Sequence, residues 1–332
     1  MKISVLGAGG WGTTLSILLN SNGHNVTLWE FNPEYAKTLG SYRENFYYLP
    51  KIKIPQKIEI TNDLVKAVSG RELIVIATPT QYIRDSFKQL SDFDFKDTII
   101  VNVSKGIEIG TLKLVNEIIT DVLKKVNPDK ISCLSGPSHA EEVARKIPTV
   151  VVCANPDMEI AKTIQTAFSN DYFRVYTSTD IIGVELGGAL KNVIAIAAGI
   201  TDGARFGDNT KAALMTRGIN EIMNLGLKLG AKRETFFGLS GIGDLIVTCS
   251  SKHSRNRFVG EEIGKGKKLK EVLADMKMVA EGISTAKSIH QLSEKLKIEM
   301  PICEQVYQIL FNDKNPIEAT NELMVRTLKE EN

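Results

Sequence analysis

Lys191 is the one lysine in the apolar run VELGGALKNVIAIAAG, and Asn192 stands beside it. Read as a helix, the run puts Gly187 and Gly188 on the lysine's own face, four and three residues earlier. A glycine inside a helix costs roughly 1 kcal/mol relative to alanine. The pair is therefore read as clearing a notch through which the amine reaches a substrate cavity, where it could give or take a proton. The alternative is a snorkelling lysine over a close helix contact. A second amine, Lys105 in NVSKGIE, follows an apolar run ending at Val103. Open α/β sheets hold ligands beyond the carboxyl ends of their strands, so Lys105 points toward such a crevice or is an ordinary loop lysine. Asp244 and Thr248 are four apart in GIGDLIVTC and share a helical face, although Asp244 could simply cap that helix. Just downstream, Ser254, Arg255 and Asn256 precede the helical Phe258–Ile263. Guanidinium, amide and helix N-terminal N–H groups together suit a small phosphate, with Lys252 and Arg257 in the same cluster. The stretch GKGKKLKE from Gly264 reads as a solvated face.

The dinucleotide chemistry is written at the N-terminus. Gly7-x-Gly9-x-x-Gly12 follows an apolar strand and opens a helix, with Gly10 and Trp11 inside the turn. Gly7 allows the tight turn, Gly9 lets a pyrophosphate approach the backbone, and Gly12 lets helix and strand pack closely. The helix N-terminus presents free N–H groups to phosphate. Glu30 closes the next strand in VTLWE, 23 residues after Gly7, where a carboxylate can bond the adenosine ribose hydroxyls. Glu30 would repel a 2′-phosphate, and Phe31 and Asn32 bring no positive charge. The expected cofactor is NAD(H), with NADP(H) the secondary choice. In LSGPSHAEEVA, Ser138-x-x-Glu141 reads as a capping box at a strand's carboxyl end, again a place for a polar ligand.

The elements that must position these groups fall into two halves. Apolar runs at Ile3–Leu6, Val26–Trp29, Leu73–Ala77, Ile99–Val103, Ile131–Leu134, Val150–Cys153 and Phe173–Tyr176 read as strands, most of them covered on both faces. Helical patterns such as Trp11–Leu19 and Leu112–Leu123 lie between them. The fold class is α/β, a Rossmann-like, mostly parallel, doubly wound sheet over residues 1–178. From residue 179 to 332 the pattern is all-α, with helices near Asp180–Ile200, Thr210–Leu229, Arg255–Gly264, Ile283–Leu296 and Ile302–Phe311.

The bulk composition fits this division. The chain has 332 residues, 43% of them hydrophobic, and 41 basic against 39 acidic residues leave a net charge of +2. That balance points to neither nucleic acid nor a membrane surface. Cys133, Cys153, Cys249 and Cys303 are scattered without a CxxC pair, so they read as reduced, in a cytoplasmic chain, and no metal site is expected. The apolar stretch after Lys2 breaks at Gly7, so no signal peptide is expected. The most apolar run, Asn192–Thr201, is too short to span a bilayer.

Taken together, GAGGWGT, VSKGIE, SGPSHAEEVA, ELGGALKNVIAIAAGI, GIGDLIVTC, SRNRFVG and VAEGIST resemble, in order and spacing, the soluble bacterial NAD(P)-dependent glycerol-3-phosphate dehydrogenases. The resemblance covers the whole chain and implies a phosphogluconate dehydrogenase-like build, with the active site between the two halves. It implies that Lys191 is the proton acceptor when a secondary alcohol is oxidised, that Lys105 adds positive charge near the developing alkoxide, and that Asp244 orients either Lys191 or the substrate hydroxyls. It implies that Lys105, Gly136, Ser138, Asp244, Ser254, Arg255 and Asn256 touch substrate, with Asn192 and Thr248 beside them. Gly10, Trp11, Lys105, Ala140, Arg255, Val279 and Glu281 would touch cofactor. Two departures stand out: Gly10 replaces a frequent serine, and the basic residue many members carry after the second strand is absent around Phe31 and Asn32. The implied partner is a small phosphorylated substrate, feeding phospholipid synthesis, with room left for a homodimer. The rivals are a hydroxyacid dehydrogenase of similar build and an NADH-sensing regulator. The regulator would need an output surface, such as a basic helix-turn-helix, and none is visible.

Overall fold

The computed structural model describes residues 1–276, 278–328 and 330–331. Its strands are β1 (Lys2–Leu6), β2 (Asn25–Trp29), β3 (Glu44–Asn45), β4 (Leu49–Lys53), β5 (Glu59–Thr61), β6 (Leu73–Ile76), β7 (Ile99–Asn102), β8 (Ile131–Ser135), β9 (Thr149–Ala154) and β10 (Phe173–Ser178). Between them run helices α1 (Gly10–Ser21), α2 (Pro33–Tyr42), α3 (Leu64–Val68), α4 (Thr80–Phe87), α5 (Val115–Val122), α6 (Ala140–Ala144) and α7 (Met158–Phe168). Eight strands form one sheet in the order β10-β9-β8-β7-β6-β1-β2-β5. The chain leaves β1 through β2 and β5, then crosses back to β6 on the other side. The strand order therefore reverses between β1 and β6, which is where such sheets open a crevice at their carboxyl ends.

Each apolar run expected as a strand is one; the inner strands are apolar because both faces are covered, whereas the edge strand β10 turns Arg174 and Tyr176 to solvent. One face packs on Leu15, Leu18, Leu39, Ile164 and Phe168; the other packs on Leu64, Ile83, Phe87 and Ile118. Two details differ from the expectation. β9 runs antiparallel to β8, so β9 and β10 oppose the other six strands. The β3–β4 hairpin and the short edge strand β5 lack apolar runs, since exposed lysines and glutamates break their pattern.

After β10 the described chain is helical: α8 (Ile181–Gly203), α9 (Asp208–Lys228), α10 (Arg233–Phe236), α11 (Asp244–Ser250), α12 (Arg255–Gly264), α13 (Leu269–Ala274), α14 (Glu281–Leu296), α15 (Pro301–Phe311) and α16 (Pro316–Met324). Every residue from Gly183 to Thr201 in α8 is buried, so α8 is the axle of this half. A helix apolar all round must be enclosed on every side. α8 has the length and hydropathy of a membrane span, but 89% of its apolar window is buried inside the protein, as for a core helix. Its closest neighbour is α12. A Cβ on Gly260 would collide with the Ile196 carbonyl oxygen, and one on Gly199 with that of Arg257. The two backbones touch with no side chain between them.

Candidate active site

A cleft of about 540 Å³ opens where the carboxyl edge of the sheet meets the helical half. Of the residues singled out in the sequence, Gly7, Gly9, Gly10, Trp11, Gly12, Glu30, Phe31, Lys105, Ser138, Ala140, Lys191, Asn192, Thr248, Ser254, Arg255, Asn256, Val279 and Glu281 line it. Gly136 and Asp244 lie just behind its wall, bonded to Lys105.

The glycine turn leaves β1 at the switch point. Gly7 has φ +119°, which only glycine adopts without strain, and a Cβ on Gly12 would strike the Gly7 carbonyl. A Cβ on Gly9 would meet nothing within 4 Å, so that backbone faces open cleft. Gly9 caps α1 with no side-chain bond, and the first turn of α1 carries no acid to compete for its N–H groups. Position 10 has room only for hydrogen, because a Cβ there would lie 2.7 Å from the Tyr48 carbonyl oxygen. Glu30 is buried at the end of β2 and accepts the Asn32 N–H at 3.0 Å. Burial raises its pKa, while the Asn32 and Ala8 amides pull it back. Phe31 stands 73% exposed beside it. This cradle fits a dinucleotide: bare backbone and amide donors for phosphate, a carboxylate for ribose hydroxyls.

Across the cleft two ammonium groups share one carboxylate. Lys191 Nζ lies 2.8 Å from Asp244 Oδ1, and Lys105 Nζ lies 2.6 Å from Oδ2. Lys191 also donates to Thr248 Oγ1 at 2.6 Å, whose hydroxyl donates to the Asp244 carbonyl. Lys105 also reaches the Gly136 carbonyl at 3.2 Å. Asp244 is 1% exposed and Lys191 7%. Burial pushes the Asp244 carboxyl up, but the two ammonium groups overcome it and hold the acid ionised, below its usual range. Burial and the charge of Lys105 bring Lys191 down to about 8 despite Asp244. The result is an amine poised to exchange a proton near neutral pH, in a cluster of net charge +1.

Several sequence expectations are corrected here. Asp244 is the first residue of α11 but does not cap it; its oxygens serve the lysines. Ser138 forms no capping box: α6 starts at Ala140 with His139 as its cap, and Ser138 Oγ donates to the Gly136 carbonyl at 2.9 Å. The notch at Gly187 and Gly188 is filled by protein. A Cβ on Gly187 would lie 2.5 Å from the Ser240 carbonyl, and one on Gly188 would lie 2.7 Å from Ser135 Oγ and 3.5 Å from the stem of Lys105. The glycines thus admit the Ser240 backbone and the Ser135 hydroxyl, with the Lys105 stem in ordinary contact beside them. The basic cluster also splits. Arg257 turns to Asp202 at 2.7 Å and Glu261 at 3.2 Å, whereas Arg255 is exposed in the cleft and has no ion-pair partner among the described residues. Asn256 is a joint, donating to Asn192 Oδ1 at 2.9 Å and accepting from the Gly282 N–H at 3.0 Å. Ser254 accepts the Arg257 N–H as the cap of α12. Glu281, expected beside the cofactor, also ties the halves together: its Oε1 accepts from Thr80 N–H at 2.9 Å and Thr80 Oγ1 at 3.0 Å.

Other residues in or behind the wall escaped the sequence reading. His139 and His253 face each other with ring centroids 5.8 Å apart, and burial and Lys191 keep His139 below its ordinary pKa. Glu185, bonded to Asn102 at 2.9 Å, is the acid inside the apolar stretch of α8 six residues before Lys191. That position was the one signal that could have found it.

A dinucleotide cradle at a switch point, facing a buried amine across a domain cleft, defines a two-domain nicotinamide-dependent dehydrogenase. Family models described as the N-terminus and C-terminus of NAD-dependent glycerol-3-phosphate dehydrogenase match residues 2–161 and 180–321. The chain belongs to that family. It is 52% identical to a glycerol-3-phosphate dehydrogenase (NAD(P)+) of Chlorobium phaeobacteroides, over 100% of this chain and 99% of the other. It is also 52% identical to one of Fusobacterium nucleatum, over 99% and 98%. The crystal structure of the Coxiella burnetii glycerol-3-phosphate dehydrogenase superposes with a TM-score of 0.93 at 36% identity, covering 98% of this chain and 99% of that one.

Proposed function

We propose that this chain interconverts sn-glycerol 3-phosphate and dihydroxyacetone phosphate, using NAD(H) in preference to NADP(H). The observation that carries the reading is the pair of ammonium groups held on one buried carboxylate in the same cleft as the glycine turn. A dinucleotide whose pyrophosphate rests on the Gly7–Gly12 turn would bring its nicotinamide to the cleft beside Lys191, to supply or accept the hydride at C2. Lys191 donates its proton to the C2 oxygen as the ketone is reduced, and takes it back in the reverse direction. Lys105 adds positive charge beside the developing alkoxide, and Asp244 and Thr248 hold Lys191 in line. Arg255, unpaired among the described residues, anchors the phosphate with the free hydrogens of Ser254 and Asn256. Gly136, Ser138 and Asn192 complete the substrate wall; Ala140, Val279 and Glu281 complete that of the cofactor.

Glu30 supports the choice of NAD(H), since a buried carboxylate there disfavours a 2′-phosphate. The same reading divides the chain at 178/179 into cofactor and substrate halves. It places the reaction in the cytoplasm, upstream of phospholipid synthesis, with a homodimer as the candidate assembly. The test is the oxidation of each reduced cofactor by dihydroxyacetone phosphate under identical conditions. Turnover with NADH well above NADPH is expected. A preference for NADPH would overturn the cofactor assignment, and turnover of short hydroxyacids alone would overturn the substrate.

A further inference from the structure

We infer that Glu185 is a positioning residue for Lys105, so that helix α8 sets the place of both lysines. This rests on the roles proposed above for Lys105 and Lys191. Glu185 is buried on α8, and one of its oxygens does all its work: Oε1 accepts from Asn102 Nδ2 at 2.9 Å and from the Asn116 N–H at 3.2 Å. Asn102, at the end of β7, clamps the residue before Lys105. Its Oδ1 accepts the Ser104 N–H at 2.9 Å, and its Nδ2 donates to the Ser104 carbonyl at 3.2 Å. Ser104 Oγ in turn donates to the Thr78 carbonyl at 2.5 Å, fixing this turn on the neighbouring strand's loop.

α8 meets the same segment twice more. The Lys105 stem runs past Gly188, and Asn192 Nδ2 donates to the Lys105 carbonyl at 3.4 Å. Residues 185, 188 and 192 are spaced i, i+3 and i+7, one stripe of one helix. Lys191, next to the last of these, is carried by the same rigid rod. The spacing of the two amines around Asp244 is thus referred to a single element, although Lys105 comes from the sheet and Lys191 from the helical half. A structural brace alone would not need a polar acceptor. Oε2 of Glu185 is buried with no hydrogen-bond partner among the described residues, and an apolar side chain there would avoid that desolvation.

The test is a double-mutant cycle on the full-length enzyme, read as kcat for dihydroxyacetone phosphate reduction, with NADH binding and melting temperature followed in parallel. Glu185→Met keeps the length of the side chain and removes the acceptor. It is expected to lower kcat by about tenfold to a hundredfold, the scale of a displaced catalytic group, while NADH binding stays within about threefold. In a Lys105→Met background the same change should cost less than about twofold more, because the group it positions is already gone. Glu185→Gln, which keeps an acceptor oxygen, should restore kcat to within about threefold of the parent. If Glu185→Met does not fold, Asn102→Ala breaks the same link from the other side and enters the same cycle. Independent, multiplicative losses would overturn the positioning role while leaving the active-site reading intact. An unchanged kcat in Lys105→Met would overturn that reading of Lys105, and this proposal with it.

Discussion

Asp244 carries one negative charge between two positive ones, so neither lysine owns it. The balance explains why burial and Lys105 can bring Lys191 down to about 8 although a carboxylate lies 2.8 Å away. The reaction inherits this value. Reduction needs the ammonium, so kcat/KM for dihydroxyacetone phosphate reduction is expected to fall as pH rises through about 8. Oxidation of glycerol 3-phosphate needs the free amine and should rise over the same interval; a pH–rate profile in both directions checks the sign. Lys191→Ala is expected to cut kcat by about 10²–10⁴-fold, the usual worth of a positioned acid or base, while NADH fluorescence titration shows binding unchanged. Arg255→Ala should act on the other end of the substrate. A lost charge-assisted bond of about 1.5–3 kcal/mol raises KM for dihydroxyacetone phosphate by roughly ten- to a hundredfold, with kcat moving less; steady-state kinetics separate the two.

At the scale of elements, α12 brings Arg255, Asn256 and their cap Ser254 to the cleft, and its seat on α8 is a backbone contact at Gly260. Gly260→Ala would force the helices apart. The expected cost is about 1–3 kcal/mol of stability, as for other overpacked contacts, together with a raised KM for the phosphorylated substrate, since the N-terminus of α12 moves with it. Chemical denaturation and steady-state kinetics on one preparation measure both. Much of this framework was legible in the sequence because covered strands and enclosed helices have no polar side: the run Leu73–Ile76 and most of α8 announce themselves by their apolarity. The β3–β4 hairpin was not legible, because its side chains alternate too little to mark it. Nor was the link from Glu185 through Asn102 to Lys105, which joins residues 83 apart and depends on how α8 lies against β7. The chemical identities of Lys105, Lys191 and Asp244 were readable one at a time. Their meeting on a single carboxylate was not, because no local spacing encodes it.

For the molecule as a whole, two buried acids set a pH dependence of stability. Burial lifts Glu185 from an ordinary 4.5 to about 8 and Glu221 to about 7. Glu221 accepts the Ile302 and Cys303 N–H groups at the start of α15, which pulls its value partly back. In both cases the folded state holds its proton more tightly than the unfolded chain. Stability from these groups is therefore full below about 4.5 and declines as pH climbs to about 8. Melting temperatures taken from pH 5 to 8 should fall across that range, and Glu221→Gln should flatten the slope. The complete enclosure of α8 has one more consequence. Amide protons along a helix with no solvent-facing side exchange with deuterium only when the surrounding helices come away, which for this half means global opening. The segment bearing the proposed proton donor should be the slowest-exchanging part of the chain, and heat should abolish turnover at the same temperature at which the fold itself is lost.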